Sequence, residues 1–396
     1  MGRPGFHRAR PDRPPDGSPG PGAHVADDRD RNAADAGAGN ADRAVVVLTM
    51  HASTPIRYAG HEPLSPTPFV ALAVAAALSV AMWQLVEARL GRLTHPAHGE
   101  MVRAAQKMQA ATQVARAQRA ELGLSQPPAF DPNRTGLLGS EFTETTTSLG
   151  DPAAKRTATN PDLAAALVGR IAELELARGT PVLVVVSGSF IGANIAAIAA
   201  VETLGLKPVL ISSLGASMHG ATDAALTWLD IETELRAKGV IAAKSIAAVI
   251  GGGGGVGGTM GTDGIAALRA AARRHGVPLV ENRPVEALID RLYTLGAAAA
   301  GDRPGLLINS GGSVAALGTC ANGATLPPMT RGQVLTCTDG TPGLIVRASN
   351  ADMPVLHLLN MRALAADWGL PFDPVPLPMV GNNRAVYGMP PKPRQR

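Results

Sequence analysis

The chain has 396 residues, of which 45% are hydrophobic and only 3% aromatic, which is enough for a substantial core packed from small aliphatic side chains rather than large rings. The formal net charge is +4, and basic residues are not interleaved with aromatic ones, so the composition argues against nucleic-acid binding. The sequence has no complete dinucleotide fingerprint, no Walker motif and no zinc-type spacing of cysteine and histidine, so neither a cofactor nor a metal is predicted.

The first 66 residues are predicted to be a disordered tail. Residues 1–49 are rich in arginine, aspartate, proline, glycine and alanine, and this composition cannot bury enough apolar surface to offset the loss of chain entropy. Met50 then opens a stretch that is typical of a membrane-protein N-terminus. We therefore interpret residues 1–49 as either an over-extended start or a dispensable tail.

Residues 67–86 are predicted to be a transmembrane helix. Phe69 to Trp83 contains no charge, and the segment has the length that matches a hydrocarbon thickness of about 30 Å. A cleaved signal peptide and a buried core helix are the alternatives, but no small-x-small cleavage site follows, and the segment is isolated between a tail and a charged helix. The pattern favours a single-pass anchor in the inner cell membrane.

The charges beside this segment leave the orientation open. Arg57 precedes the apolar stretch closely, whereas Arg89, Arg92 and Arg103 follow it. By the positive-inside rule this distribution leans toward a cytoplasmic C-terminal domain. A signal anchor that places the domain outside has the same layout, so both orientations stay open.

Three further segments are predicted. Residues 97–123 are polar and rich in alanine and glutamine, which indicates a solvent-facing helix that spaces the domain from the membrane. Residues 127–378 are predicted to form one α/β domain, and residues 379–396 a proline-rich basic tail.

The α/β prediction comes from apolar runs that alternate with helical patterns. The predicted strands contain Val182–Val186, Val209–Ile211, Ile246–Ile250, Pro278–Val280 and Leu306–Ile308. The predicted helices are Ala193–Leu204, Asp223–Lys238, Asp263–His275 and Pro284–Ala300. This alternation predicts a doubly wound, mostly parallel sheet with right-handed crossovers. Gly332–Arg347 is predicted to add a hairpin that turns at Asp339-Gly340.

Small polar residues end each predicted strand, and ligands of open parallel sheets bind outside those strand ends. The turn Ser187-Gly188-Ser189 leads into a helix and suits a carboxylate or phosphate, although a plain capped turn explains it equally well. The adjacent cations Lys155 and Arg156 either bind an anionic ligand or form a solvated pair. The predicted ligand-binding residues are Ser187, Gly188, Ser189, Asn194, Ser212, Ser213, Asn309, Ser310, Gly311, Gly312, Lys155 and Arg156.

The sequence leaves open whether the protein is an enzyme. Ser187 and Ser189 are candidate nucleophiles and His219 is a candidate acid–base group, but neither serine lies in a G-x-S-x-G motif. His357 lies in an apolar run and is interpreted as a core histidine. The glycine-rich run 251–261 lacks the lysine of a phosphate-binding loop, so it is either a plain loop or a close approach of backbone to ligand.

The two cysteines, Cys320 and Cys337, are interpreted as small buried apolar residues. A disulfide is the alternative if the domain faces an oxidising compartment. Their positions in the sequence do not show that they approach each other.

Several blocks of the sequence resemble one family. They are Gly136–Gly139 with Thr145–Thr147, Ala154–Pro161, Ser187–Phe190, Leu204–Pro208, Ile211–Ser217, Thr227–Asp230, Gly311-Gly312 with Leu317–Thr319, and His357–Asn360. Together they resemble the poly-gamma-glutamate system protein family, membrane-associated proteins linked to production of a poly-gamma-glutamate capsule or polymer. The resemblance extends from the apolar segment to about Pro378, leaves out the first 49 residues, implies a pathway and supplies no catalytic residues.

Three functions follow from these patterns. The first is a membrane-anchored accessory protein that binds the anionic polymer, a precursor, or a synthase or export partner at the strand ends. The second is a gamma-glutamyl hydrolase or transferase that uses Ser187 or Ser189 with His219. The third is a nucleotide-binding protein that uses the glycine-rich loop and requires the domain to face the cytoplasm.

Overall fold

The computed structural model describes residues 66–91, 94–301, 303–332 and 336–388. The predictions for residues 1–65 and 389–396 lie outside this part of the chain. The first helix, α1 (Pro66–Gly91), contains the apolar segment Phe69–Glu87, whose 19 residues have a mean hydropathy of 2.1 and are not buried. By length and composition, this helix is apolar enough to cross a membrane.

The other elements of the described chain form a mixed α/β domain. Its helices are α2 (His98–Glu121), α3 (Pro152–Ala158), α4 (Asp162–Ala172), α5 (Ile191–Thr203), α6 (Trp228–Ala237), α7 (Thr262–Arg274), α8 (Val285–Ala300), α9 (Val314–Leu317), α10 (Leu344–Asn350), α11 (Met361–Trp368) and α12 (Arg384–Tyr387). Its strands are β1 (Thr146–Ser148), β2 (Pro181–Ser187), β3 (Lys207–Ser213), β4 (Ala216–Ser217), β5 (Ser245–Val249), β6 (Leu306–Ser310), β7 (Met329–Thr330) and β8 (Val355–Leu358).

The main sheet has six strands in the order β5-β3-β2-β6-β8-β7, all parallel except β7. Four predicted strands correspond to β2, β3, β5 and β6. The prediction for Pro278–Val280 is wrong, because this segment makes only an isolated bridge between Leu279 and Ala248. The apolar run around His357, which was predicted only to be core, supplies β8 instead. A short apolar run without flanking turn residues does not distinguish a strand from another buried segment.

Hydrophobic clusters cover both faces of the sheet because side chains alternate along each strand. On β2, Val182, Val184 and Val186 face a cluster formed with α2, α4 and α5. Leu183 and Val185 face a second cluster, which contains residues of α8 and α10.

The α2 helix belongs to the domain, so the prediction of a solvent-facing spacer is wrong. Its Met101, Met108 and Ala111 are buried, and the helix packs against α4, α5 and α6. Alanine contributes little to an apolar pattern, and one face built from alanine and two methionines therefore looked polar in the sequence. Because α2 packs on the domain, the fold begins well before residue 127.

The described chain also continues past Pro378, where a tail was predicted. Tyr387 of α12 is buried, and the backbone N–H of His95 donates to its carbonyl at 3.0 Å. Thr94 and Gly388 form an antiparallel bridge, so the start and the end of the described domain lie side by side.

The region of the predicted hairpin has a different structure. Within the described residues 336–347, Pro342 bridges Gly318 and α10 begins at Leu344. Cys320 and Cys337 form a disulfide, with Cα atoms 5.4 Å apart, so the preferred interpretation of two unlinked apolar residues is wrong. The two cysteines are 17 positions apart in the sequence, and no local pattern indicates that they meet.

Candidate ligand-binding cleft

The strand order reverses between β2 and β6. From β2 the chain proceeds to β3 and β5 on one side, and then returns to β6 and β8 on the other. The loops that follow two such strands diverge, and in open parallel sheets this point is where ligands bind. Gly311, directly after β6, has a φ of +98°, and a β-carbon there would overlap the Ser187 hydroxyl. The two strand ends therefore meet closely at this point.

A cavity of about 610 Å³ opens at these strand ends. Loops after β2, β3, β5, β6 and β8 all contribute to its wall, and hydroxyls dominate the polar lining. The lining hydroxyl residues are Thr147, Ser148, Ser187, Ser189, Ser213, Ser217, Thr259 and Ser313. Of the predicted ligand-binding residues, Ser187, Ser189, Ser213 and Gly312 line this cleft.

The small sheet of β1 and β4 forms one side of the cleft. Thr146 pairs with Ala216 and Ser148 with Ser217, and the N–H of Met218 donates to Ser148 O at 3.0 Å. This pairing brings the segment from Thr147 to Asp151 over the strand ends. The threonines and Ser217 belong to separate blocks of the sequence, and their pairing was not predicted because it is not local in sequence.

Lys155 and Arg156, which were predicted to act together, point to different places. Lys155 is buried, and its Nζ donates to Ser217 Oγ at 2.9 Å and to the Ser189 carbonyl. Arg156 makes a two-bond ion pair with Asp373, at 2.7 and 2.6 Å, and is not part of the cavity wall. Only Lys155 therefore contacts groups of the cleft.

Burial dominates the electrostatics of Lys155. It lowers the pKa of the amine to about 7, while the Asp151 carboxylate acts in the opposite direction. The ring of Phe190 also lies near the amine, with 5.0 Å between Nζ and the ring centroid. None of the ion pairs in the described part of the chain involves Lys155. A buried ammonium is usually stabilised by a carboxylate partner, and the described residues give Lys155 no such partner.

Two further charged residues line the cleft. Asp151 caps α3 by accepting from Ala153 N and Ala154 N, which fixes its carboxylate at the helix start. Arg362, at the start of α11, is exposed and stacks on Phe372, with 4.0 Å between its guanidinium carbon and the ring centroid. The sequence signal for this residue was weak, because Arg362 lies beyond the block around His357.

Several predicted site residues are buried behind the cleft and make internal bonds. Asn194 donates to Ser187 O at 2.8 Å and Ser212 shares a 2.6 Å bond with Ser245, and both are fully buried. Gly188 donates its N–H to Ser213 O at 2.8 Å. These residues do not line the cleft; they hold the loops that do.

Asn309 and Ser310 are also buried beneath the cleft. Asn309 donates to Gly311 O at 2.6 Å and shares a 2.9 Å bond with His357 Nδ1. Burial lowers the pKa of His357 to about 4, so this histidine is neutral near pH 7. His357 is a core residue, as predicted, and it orients the turn after β6 through Asn309.

His219 does not face the cleft, so the predicted pairing with Ser187 or Ser189 is wrong. The residue is 1% exposed, Nδ1 lies 3.2 Å from Gly139 O, and the ring of Phe130 packs against the imidazole. The residue adopts a φ of +60° in the turn after β4, and this turn directs the ring away from the cavity. His219 is only two residues from Ser217 in the sequence, and the sequence does not show that the turn points the two side chains in different directions.

The glycine-rich loop uses much of its backbone internally. The N–H groups of Gly251, Gly255, Gly257 and Gly258 all donate to carbonyls within the loop. Gly252 and Gly253 line the cleft. The loop is thus a compact wall of the cavity.

Comparisons with protein families, with curated proteins and with solved structures found no match. Among the described residues, no group of three or more histidine, cysteine, aspartate or glutamate side chains is arranged to hold a metal ion.

Proposed function

We propose that this chain is a membrane-anchored accessory component of a poly-gamma-glutamate synthesis or export system. Its cleft binds a segment of the anionic polymer or a glutamyl precursor, and a synthase or export component is its protein partner. The observation that carries this proposal is the hydroxyl-lined cavity at the reversal of strand order. The family resemblance supplies the pathway.

The lining of the cleft suits a chain of carboxylates and amides. Hydroxyls both donate and accept, so they satisfy carboxylate oxygens as well as amide N–H groups. Arg362 adds a guanidinium, which binds a carboxylate through two parallel hydrogen bonds. The fold that supports the cleft is a doubly wound domain, with helices on both faces and ligand loops at one edge.

The disulfide supports an orientation in which the domain lies outside the cytoplasm. Disulfides persist in oxidising compartments and are rare in the cytosol. With α1 as a single-pass anchor in the inner membrane, Cys320 and Cys337 belong on the outer side. This orientation opposes the lean of the few flanking arginines and corresponds to the alternative of a signal anchor with the domain outside.

The same observations argue against nucleotide binding. Four backbone N–H groups of the glycine-rich loop donate to carbonyls of the same loop and are not available to a phosphate. Asp263 in the first turn of α7 also repels phosphate. A domain outside the membrane also has no supply of nucleoside triphosphate. The loop is therefore a weaker candidate site than the hydroxyl-lined cavity.

Retention on immobilised poly-gamma-glutamate tests the proposal. The full-length protein in detergent micelles is applied to the immobilised polymer beside its Arg362→Ala variant and an Arg291→Ala control. Arg291 is an exposed arginine of α8 and does not line the cleft. We expect the wild type and the control to be retained and Arg362→Ala to elute at lower salt. Failure of the wild type to bind, or equal loss in both variants, contradicts the proposal.

A further inference from the structure

We propose that Ser217 is a nucleophile, that Lys155 is its general base, and that the cleft catalyses acyl transfer. This inference goes beyond binding, and only its substrate class, a gamma-glutamyl amide, rests on the proposed function. It replaces the arrangement of Ser187 or Ser189 with His219, which the structure does not form.

The geometry singles out Ser217 among the serines of the cleft. Lys155 Nζ lies 2.9 Å from Ser217 Oγ, within the range for direct proton transfer. Ser217 lines the cavity, and the amine lies behind it in a buried position. A serine with a lysine as its base is a known variant of the nucleophile–base arrangement.

The neighbouring serines are occupied differently. Ser189 Oγ accepts the backbone N–H of Ser217 at 3.0 Å, and Ser187 Oγ accepts that of Ser189 at 3.3 Å. Both hydroxyl oxygens therefore hold the loops together. The bond from Ser189 also fixes the backbone of Ser217 and positions it against the amine.

The surroundings of Lys155 favour the neutral amine that a base requires. No described carboxylate pairs with it, and its other bond goes to the Ser189 carbonyl. The charged group that acts on its pKa is Asp151, at the start of its own helix, and Arg362 of α11 also lines the cleft. Arg156 is neutralised by Asp373. Burial is the largest influence and brings the pKa of Lys155 to about 7, so much of the amine is unprotonated near neutral pH.

Gly150 packs closely against both groups. A β-carbon at this position would lie 2.9 Å from Lys155 Cε and 3.1 Å from Ser217 Oγ. Its φ is not in the left-handed region, so an alanine is not excluded by the backbone. An added methyl group would therefore displace the lysine or the serine, so the close approach of this backbone to the pair requires glycine.

The reaction balances with water as the only co-reactant. Lys155 takes the Ser217 proton while Oγ bonds to the carbonyl carbon. The C–N bond then breaks, and the leaving amine receives the proton from Lys155. Water attacks the resulting ester, gives one proton to Lys155, and the ester C–O bond breaks as that proton returns to Ser217. A second amine in place of water gives transfer instead of hydrolysis.

Covalent labelling tests the pair without the polymer. The full-length protein in detergent micelles is incubated with a fluorophosphonate between pH 6 and 9, and the labelled peptide is located by mass spectrometry. We expect label on Ser217, at a rate that rises through an apparent pKa of about 7. We expect Ser217→Ala to lose the label and Gly150→Ala to reduce it at least tenfold.

Lysine replacements separate catalysis from structure. Lys155→Arg keeps a cation and a donor but cannot accept a proton, so we expect at least a tenfold loss of labelling, measured below the temperature at which the variant begins to unfold. Ser125→Ala and Lys244→Arg, at exposed positions away from the cleft, are the matched controls and keep the wild-type rate. A structural role for Lys155 predicts rescue by arginine, and that result overturns the proposal.

The outcomes distinguish this inference from the proposed function. Folded wild type that shows no label on Ser217 at pH 9 overturns the nucleophile, even where the polymer is bound. Label on Ser217 without retention on the polymer supports the nucleophile and contradicts the assignment of the substrate. Shortening of poly-gamma-glutamate by the wild type but not by Ser217→Ala supports both.

Discussion

Tyr387 donates its phenolic hydrogen to the buried carboxyl of Asp162 at 2.7 Å, which ties α12 to the first turn of α4. The bond joins residues 225 positions apart and closes the end of the described domain against its core. Burial raises the pKa of Asp162, so this carboxyl is a costly group to leave without its partner.

Tyr387→Phe should therefore destabilise the fold. Removing one partner of a buried bond costs about 1–3 kcal/mol, and the other Asp162 oxygen already has no described partner. Urea denaturation of the full-length protein in micelles measures the change. Tyr293→Phe, at a half-buried tyrosine of α8, is the control and should change stability by less than about 0.5 kcal/mol. Equal effects in the two variants would contradict the role of the bond.

Lys155 should make stability depend on pH. Its pKa is about 7 in the fold and lies near 10.5 in the unfolded chain, so between these values the unfolded state binds more protons. Stability from this group therefore rises with pH across that window, by about 1.4 kcal/mol per pH unit. Lys155→Met removes this dependence. The free energy of unfolding of the wild type should therefore increase relative to that of the variant between pH 7 and 9. Parallel curves for the two proteins would show that the amine is not held neutral.

Gly311→Ala should disturb the cleft more than an alanine substitution at another glycine with a positive φ. Its positive φ costs an alanine about 1–3 kcal/mol, and the added β-carbon would also meet the Ser187 hydroxyl. Gly301→Ala is the matched control, because Gly301 has a φ of +71° but open space around it. We expect both to lower the denaturation midpoint and only Gly311→Ala to abolish polymer retention. Unimpaired retention would show that the strand ends tolerate separation.

The disulfide predicts the side of the membrane. Protein isolated from cells with an alkylating quench, denatured without reductant, should have no thiols that react with maleimide. After reduction it should have two, Cys320 and Cys337. A C-terminal alkaline phosphatase fusion should be active, because that enzyme also requires an oxidising compartment. Two free thiols before reduction would place the domain in the cytoplasm.

Local patterns predicted four of the five parallel strands of the main sheet, because apolar runs of β-branched residues are strong local signals, and they predicted the longer helices α1, α2, α5, α6, α7 and α8. The same patterns missed β8, whose run is short, and the buried face of α2, which is built from alanine and methionine. At the cleft, strand-end serines were predicted because their position follows from the strands. The contact of Lys155 with Ser217 spans 62 residues and depends on the pairing of β1 with β4, which no local signal encodes.

The packing of α2 shortens the link between α1 and the domain. Only residues 92 and 93 separate Gly91 from Thr94, which already bridges Gly388. Three Cα–Cα steps reach about 10 Å even when fully extended. With α1 in a bilayer, the domain is confined to the membrane surface and cannot extend into solution on a stalk. The cleft would then reach only polymer chains that emerge from the membrane close to the anchor of the same molecule.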